Sequence, residues 1–512
     1  MAWFRAWTFD EQRVREALLG GVLPEDVEVS TQARMDLVVK RLQELELWDF
    51  ITGLPVVHGK ENAYPSQQML GAIALLELAE GNTRLAAAGK ILQDATLIGA
   101  LGFNVELFDR RKGEGVVSAG TLRNHLKKVP KGEGPKALRR QAQYMRQRKW
   151  LRGHIYAADG TKLEVGKGTS HEGAGEVWDG QEERWAYGYK LLTLQNLAEN
   201  RSRCVAMDLK PINADEHQML DDALAALGAD MGLESLRQMI QLLILDRGYW
   251  GAEFLYRLGH HYKLKYLTLG KKNLELLQEA KAQRELRKAE YRSYRVKNKT
   301  TGLPSTIELC GLEGVPLNGY TADGKGMGDV NVVLAREWVE TAKINGKTVE
   351  AHWDEWYYVT NQPLGKDWLA VYLQYEARWG IENEGFRTLK QAYHLDQLPG
   401  RSLAAIEART ALVLMLYNAM NILDMKYPED GKEALRQRRK RGHASHLNEQ
   451  AVIVYIPAGY VASFRPPEYH RLTVEGARRR AQLEAVDAVE AIGRKFDLTP
   501  EVRAELRKTF RT

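Results

Sequence analysis

Cysteine is nearly absent from the chain. Cys204 and Cys310 stand far apart with no Cys-x-x-Cys pair, so neither a disulfide framework nor a structural zinc site is indicated, and a reducing cytoplasm is the expectation. No His-Glu-x-x-His run occurs and the histidines show no metal-ligand spacing, which leaves out the zinc hydrolases. A serine nucleophile elbow is missing too. GKGTS at Gly166 lacks the upstream glycine of a phosphate loop, and GKGMG at Gly324 is not followed by a helical pattern, so both read as turns. Membrane-length apolar runs are also lacking. Ala411 to Met420 is flanked by Glu407 and Arg409 and falls short of the roughly 20 residues of a span. The opening MAWFRAWTFDEQRVRE meets Asp10 and Glu11 before any apolar signal-peptide core. No membrane role is expected.

What remains is an ordinary globular composition, 44% hydrophobic and 27% charged, over 512 residues, enough for two or more domains. The net charge of +6 is unevenly spread. From Thr121 to Arg152 eleven Lys/Arg face the single acid Glu133. Among them are Arg123, Lys127, Lys128, Arg139 and Arg140, and a second basic run, RQRRKR, covers Arg436 to Arg441. Such a local excess suits a polyanion, because lysine and arginine displace counterions from phosphates. A solvated basic helix is the plainer alternative.

Periodicity divides the chain. Residues 30 to 128 carry apolar residues at three- and four-residue spacing, and SAGTLRNHLKKV from Ser118 resembles the small-residue turn and basic helix of a helix-turn-helix reader. From His154 the texture changes to α/β. HIYAADG reads as a strand ending in Asp159, AYGYKLLTLQN and RCVAMDLKP as strands, DEHQMLDDALAAL as a helix, and MIQLLILDRGYWG as a strand ending in Asp246. Between Lys263 and Gly365 the pattern is β-rich, with Asn345-Gly346 as a hairpin cue. Helical spacing returns at Trp368. The expected organisation is therefore a helical DNA-binding region over 1–152, an α/β catalytic core over 153–262 and 366–424, a β-rich insertion over 263–365, and a helical basic region over 425–512.

The chemistry-bearing residues are acids on separate elements. Asp159 precedes Gly160-Thr161, Asp246 precedes Arg247-Gly248-Tyr249, and in YEARWGIENEGFRTLK the residues Tyr375, Arg378 and Glu382 fall on one helix face. An isolated strand-end acid is commonly a turn residue or helix cap. Three acids with a guanidinium and a phenol suit phosphodiester chemistry instead, where a metal pair about 3.5 to 4 Å apart clamps the attacking and leaving oxygens. Magnesium selects carboxylate oxygens for such a site.

These residues, Asp159 in YAADGT, Asp246 in LILDRGYWG and the run Tyr375, Arg378, Glu382, resemble the insertion-sequence DDE transposases of the branch with a Tyr-Arg-Glu-Lys signature. The resemblance covers roughly His154 to Tyr393. It implies a ribonuclease H-like core with a β-rich insertion before the catalytic glutamate, flanked by helical N- and C-terminal regions. It further implies two Mg²⁺ ions, replaceable by Mn²⁺, on Asp159, Asp246 and Glu382, with Tyr375, Arg378 and a downstream lysine on the transposon-end strand; Arg247, next to Asp246, is a further DNA-binding candidate. Double-stranded DNA (transposon ends and target) and a homodimer on DNA follow, in a prokaryotic cytoplasm at the nucleoid. One departure stands out: the lysine of the signature falls seven positions after the glutamate, which is Leu389 here, and the nearest lysine is Lys390. Either the helix holds a one-residue irregularity near Gly385, or spacing alone leaves Glu382 and Glu384 open as the third acid. In relatives that excise through a hairpin, an insertion tryptophan stacks on a flipped base; Trp338, Trp353 and Trp356 lie in that region, where packing within the hairpin is the plainer role. A DNA-binding relative that has lost catalysis is the alternative function. A two-carboxylate glycosidase leaves the basic segment and Arg378 unexplained.

Overall fold

A computed structural model describes residues 8–30, 35–57, 65–78, 85, 88–92, 95–103, 116–180, 182–197, 202–271, 275–297, 304–317, 326–339, 342–344, 347–349, 351–427, 451–457, 459–495 and 499–509. The chain falls into two compact units, Met1–Pro130 with Ile422–Thr512, and Lys131–Asn421. RQRRKR at 436–441 and Asn345-Gly346 lie outside the described residues.

In the first unit, helices such as Glu11–Leu19, Met35–Glu44 and Ser66–Leu78 agree with the periodic reading. The helical ends also carry strands, two of them over VIVYIPAGYVASF, where the helical pattern of the sequence is interrupted. Strands Thr8–Phe9, Asp26–Ser30, Ala451–Ile456 and Tyr460–Phe464 form one sheet. Both faces of Ala451–Ile456 are buried, and Val452, Val454 and Phe464 pack with Val14 and Leu18 of the first helix. Helix Pro466–Lys495 follows this sheet.

The second unit is built on a ten-stranded mixed sheet. Its strands, in chain order, are β1 (Ile155–Glu164), β2 (Gly175–Asp179), β3 (Arg184–Asn196), β4 (Arg203–Pro211), β5 (Leu242–Leu245), β6 (Lys265–Leu269), β7 (Arg292–Lys297), β8 (Pro304–Pro316), β9 (Asp329–Val339) and β10 (His352–Thr360). The spatial order is β2-β3-β1-β5-β6-β10-β9-β8-β7, with β4 also on β3. β1, β5 and β6 run parallel; β3 is antiparallel to β1, and β10 to β6. β5 is LLIL with all four residues buried, as a parallel strand covered on both faces requires. The crossover from β4 to β5 carries helices Glu216–Met231 and Leu233–Met239, and that from β5 to β6 carries Ala252–His260. Two sequence boundaries shift. β1 continues five residues past Asp159, because β3 pairs with it as far as Glu164, whereas the parallel ladder to β5 stops at Ala158↔Leu245. KYLTL, placed in the insertion by the sequence pattern, is β6 of this central set.

The insertion's strands prolong the same sheet through β10, and a core of Leu276, Leu312, Val332 and Tyr357 fills their covered face. Short strands Ala342–Ile344 and Lys347–Val349 pair antiparallel as a separate two-stranded sheet. Helix Leu403–Lys426 is long and apolar enough to cross a membrane, but 89% of its apolar window is buried inside the protein. Asn418 on it donates to the Cys204 carbonyl and to Gln141 Oε1, and accepts from Cys204 N, so the polar groups at the buried edge of β4 are satisfied. It is a core helix.

Candidate active site

The parallel ladder between β1 and β5 ends at Ala158 and Leu245, and the next residue on each strand is an aspartate. Open α/β sheets bind ligands at such carboxyl ends. Asp159 accepts the Gly160 N–H at 2.8 Å, and the Asp246 carbonyl accepts from Thr268 Oγ1 at 3.2 Å, which fixes the turn Arg247–Tyr249 that follows.

The third acid arrives on helix Trp368–Glu376 and its continuation. Asp367 caps that helix by accepting from Ala370 N at 3.3 Å. The helix does not run regularly to Gln391, as its sequence pattern suggested. It tightens into a turn at Ala377-Arg378, then widens into a π-helix at Ile381–Phe386 before an α-turn, Arg387–Gln391. A π-turn accommodates one extra residue and recurs at functional sites. An irregularity near Gly385 is one of the two readings that the displaced lysine leaves open. Gly385 lets the turn lie close to β3: a Cβ there would come 2.8 Å from Gln195 Oε1. The side chain of Glu384 lies outside the described residues.

Arg378 is the centre of the cluster. Its Nη1 reaches Glu382 Oε1 at 2.8 Å and Asp159 Oδ2 at 3.4 Å, and its Nη2 reaches Asp246 Oδ1 at 3.5 Å. Tyr375 donates its hydroxyl to Asp246 Oδ1 at 3.5 Å. The guanidinium lies 5.6 Å from the Tyr375 ring centroid and 5.4 Å from that of Trp379. Its side chain is 4% exposed, against 16% for Asp159 and 38–40% for the other two acids, so the site is open on the side of Asp246 and Glu382. Burial alone would lower the pKa of Arg378, but Tyr375 and the three carboxylates hold it above its ordinary value. Burial drives the Asp159 carboxyl up to about 7, against the pull of Arg378 and the Gly160 N–H. Burial likewise holds the Tyr375 phenol well above its ordinary value.

Asp159, Asp246, Glu382, Tyr375 and Arg378 thus meet. Lys390 instead donates to the Lys162 carbonyl at 3.4 Å, further along β1, and burial lowers its pKa. Arg247 is exposed directly after Asp246. Of the basic segment, Arg140 is exposed in this unit while Arg139 is tied to Asp230 at 2.5 Å; Arg123, Lys127 and Lys128 are exposed in the other unit. Trp338 and Trp353 face each other across β9 and β10, ring centroids 5.4 Å apart, each about two-fifths exposed. Sequence reasoning passed over Tyr249, Glu216 and Lys190, which adjoin the site; a tyrosine after Arg-Gly and an acid at a helix start carry no distinguishing local signal.

The three carboxylates are the hard oxygen donors that suit magnesium or manganese, and all of them already neutralise one cation, Arg378. They surround the guanidinium rather than closing on one point: among the described residues no group of three acids, histidines or cysteines stands ready to hold a metal ion. A family model described as a transposase DDE domain matches residues 150–419. No curated protein matches the chain.

Proposed function

Since the chain belongs to the transposase DDE domain family, we propose that it is an active transposase of the Tyr-Arg-Glu-Lys branch, which binds the inverted repeats at its element's ends and both cleaves and joins DNA strands. The observation that carries this reading is the meeting of Asp159, Asp246 and Glu382 around Arg378 where the parallel ladder between β1 and β5 ends. The strand order β4-β3-β1-β5-β6, with only β3 antiparallel to its neighbours at the centre, supports a ribonuclease H-like core.

Proteins of this family use divalent metal ions, and here Asp159, Asp246 and Glu382 would hold them. When bound, two such ions activate the attacking oxygen and stabilise the leaving one. The side chains do the rest. Asp159 must be ionised to serve, and Arg378 favours that form against burial. With the acids committed to such ions, the Arg378 guanidinium would be available to a DNA phosphate, which its fork of donors suits. Tyr375 and exposed Arg247 flank the same strand, orienting it for in-line attack. Lys127, Lys128 and Arg140 give sequence-independent phosphate contacts. Two ends must be held at once, so a homodimer on DNA is the expected active species, in the cytoplasm of a prokaryote. All three acids are present, and no observation favours a catalytically lost copy.

The test is incubation of the full chain with DNA flanking its own gene, with and without magnesium, scored for strand cleavage at the element ends. Cleavage that survives Asp246→Asn would refute the assignment.

A further inference from the structure

Glu216 has no part in the three-acid reading, yet its carboxylate lies against Gly160 and Gly248, the glycines that closely follow the two aspartates. It is the first residue of helix Glu216–Met231, and the cap of that helix is Asp215, which accepts from His217 N at 3.1 Å. Glu216 is therefore released from capping. Its Oε1 pairs with Lys190 Nζ of β3 at 3.0 Å, and the same ammonium donates to the Ala214 carbonyl at 3.0 Å, which aims the carboxylate back over the sheet. Two glycines mark where it goes. A Cβ on Gly160, the residue after Asp159, would stand 3.4 Å from Glu216 Oε1. One on Gly248 would stand 3.7 Å from Glu216 Oε2 and 3.9 Å from Asp246 Oδ2. The carboxylate thus overlies the backbone following both aspartates, and glycine at each place leaves it room.

A second observation converges on the same spot. Tyr249 is wholly buried, and among the described residues its hydroxyl has no hydrogen-bond partner. Burial holds that phenol well above its ordinary value, and the nearby carboxylates of Glu216, Asp159 and Asp246 push it the same way against Arg378. A buried hydroxyl without a partner amid acids calls for a bound species that can satisfy it, such as ordered water or an ion's hydration shell. Magnesium and manganese keep several waters when protein carboxylates bind them, so a carboxylate and a phenol just beyond direct reach are suited to hold those waters.

We propose that Glu216, oriented by Lys190, is a fourth acid of the site, a positioning residue that with Tyr249 holds the hydration water of the divalent ion on Asp159 and Asp246. This rests on the metal-dependent reading above. The probe is Mn²⁺ alone, titrated into the full chain at pH 8 and followed by water proton relaxation, which reports both affinity and bound water. Asp159→Asn should abolish the binding, and its failure to do so would overturn the three-acid reading and this inference with it. Given that loss, Glu216→Gln should weaken Mn²⁺ roughly tenfold or more. Glu216→Asp, which keeps the charge but withdraws it by one methylene, should fall between, and it also serves if Glu216→Gln does not fold. Tyr249→Phe should lower the relaxation enhancement. Wild-type Mn²⁺ affinity in Glu216→Gln and Glu216→Asp, beside its loss in Asp159→Asn, would overturn the inference and leave the three-acid site standing. A merely structural Glu216–Lys190 pair would lower the metal-free melting point without changing Mn²⁺ affinity, which is the same refuting result.

Discussion

Replacing Asp159 by Asn should make the metal-free protein more stable at pH 8 while destroying its chemistry. The cause is the cost of ionising a buried acid. In the unfolded chain this carboxyl titrates near 3.8, whereas in the folded chain burial drives it to about 7. A folded-state value raised in this way means that stability is fully present below about pH 4 and is lost as pH rises towards 7, because the buried group must then carry charge. At 1.36 kcal/mol per pH unit the difference amounts to roughly 4 kcal/mol. Asparagine keeps the shape and removes the charge. The attraction of Arg378 is already contained in that value. The asparagine amide nitrogen, however, cannot accept from the guanidinium or the Gly160 N–H as a carboxyl oxygen does, so the net gain is a fraction of that figure, on the order of 1 to 3 kcal/mol. The assay is thermal melting in chelator at pH 8 and again near pH 4.5, with hydrogen exchange of the β1 amides as a local readout, since a chain of two units need not melt in one step. The variant should melt higher at pH 8, and the gap should close at the acid end. A variant that melts at or below wild type at pH 8, or a gap that ignores pH, would show that Asp159 carries no such cost. Magnesium-dependent cleavage should be absent throughout, the usual exchange of stability for function.

Glu382→Gln should reduce cleavage by orders of magnitude and Glu384→Gln by no more than a few fold, as measured on end-containing DNA; the reverse ranking would move the third ligand to Glu384. Neutralising Lys127, Lys128 and Arg140 should take about 0.9 from the salt-dependence slope of DNA binding for each phosphate left without its cation, whereas Arg139→Ala should leave the slope alone because its guanidinium is spent on Asp230. A binding titration over a range of salt concentrations decides this, and an unchanged slope in the triple variant makes the segment an ordinary solvated face. Gly311→Ala should destabilise the chain by about 1 to 3 kcal/mol in urea unfolding, since the new Cβ would fall 2.3 Å from Trp368 Nε1 at the start of the Glu382 helix. Wild-type stability would mean that the indole moves aside freely.

The acids were legible because each sits where a local pattern changes: Asp159 and Asp246 end apolar runs, and Glu382 follows Tyr375 and Arg378 at helical spacing. The one-residue displacement of Lys390 allowed for an irregular turn, and the π-turn at Ile381–Phe386 is one, although Lys390 itself lies on the Lys162 carbonyl. What escaped depended on distant partners. DVEVS at Asp26–Ser30 becomes a strand only because Ala451–Ile456 pairs with it, and nothing within five polar and β-branched residues announces a partner over four hundred positions away. KYLTL was assigned to the insertion because a short strand carries no mark of the neighbour it will choose, and it chose β5. Tyr249 and Glu216 gain their meaning from what packs over them, which no spacing rule encodes.

The pairing of β10 with β6 has a practical consequence for anyone seeking a smaller catalytic fragment. β6, KYLTL, has β5 on one side and β10 on the other, and its central residues are buried. Cutting out the segment that supplies β10 would leave a short, flat, apolar strand with a bare row of amide and carbonyl groups, a template on which further copies could stack. A trimmed protein should therefore precipitate rather than merely lose activity, and any shortened design has to bring its own edge cover, such as a lysine-bearing strand.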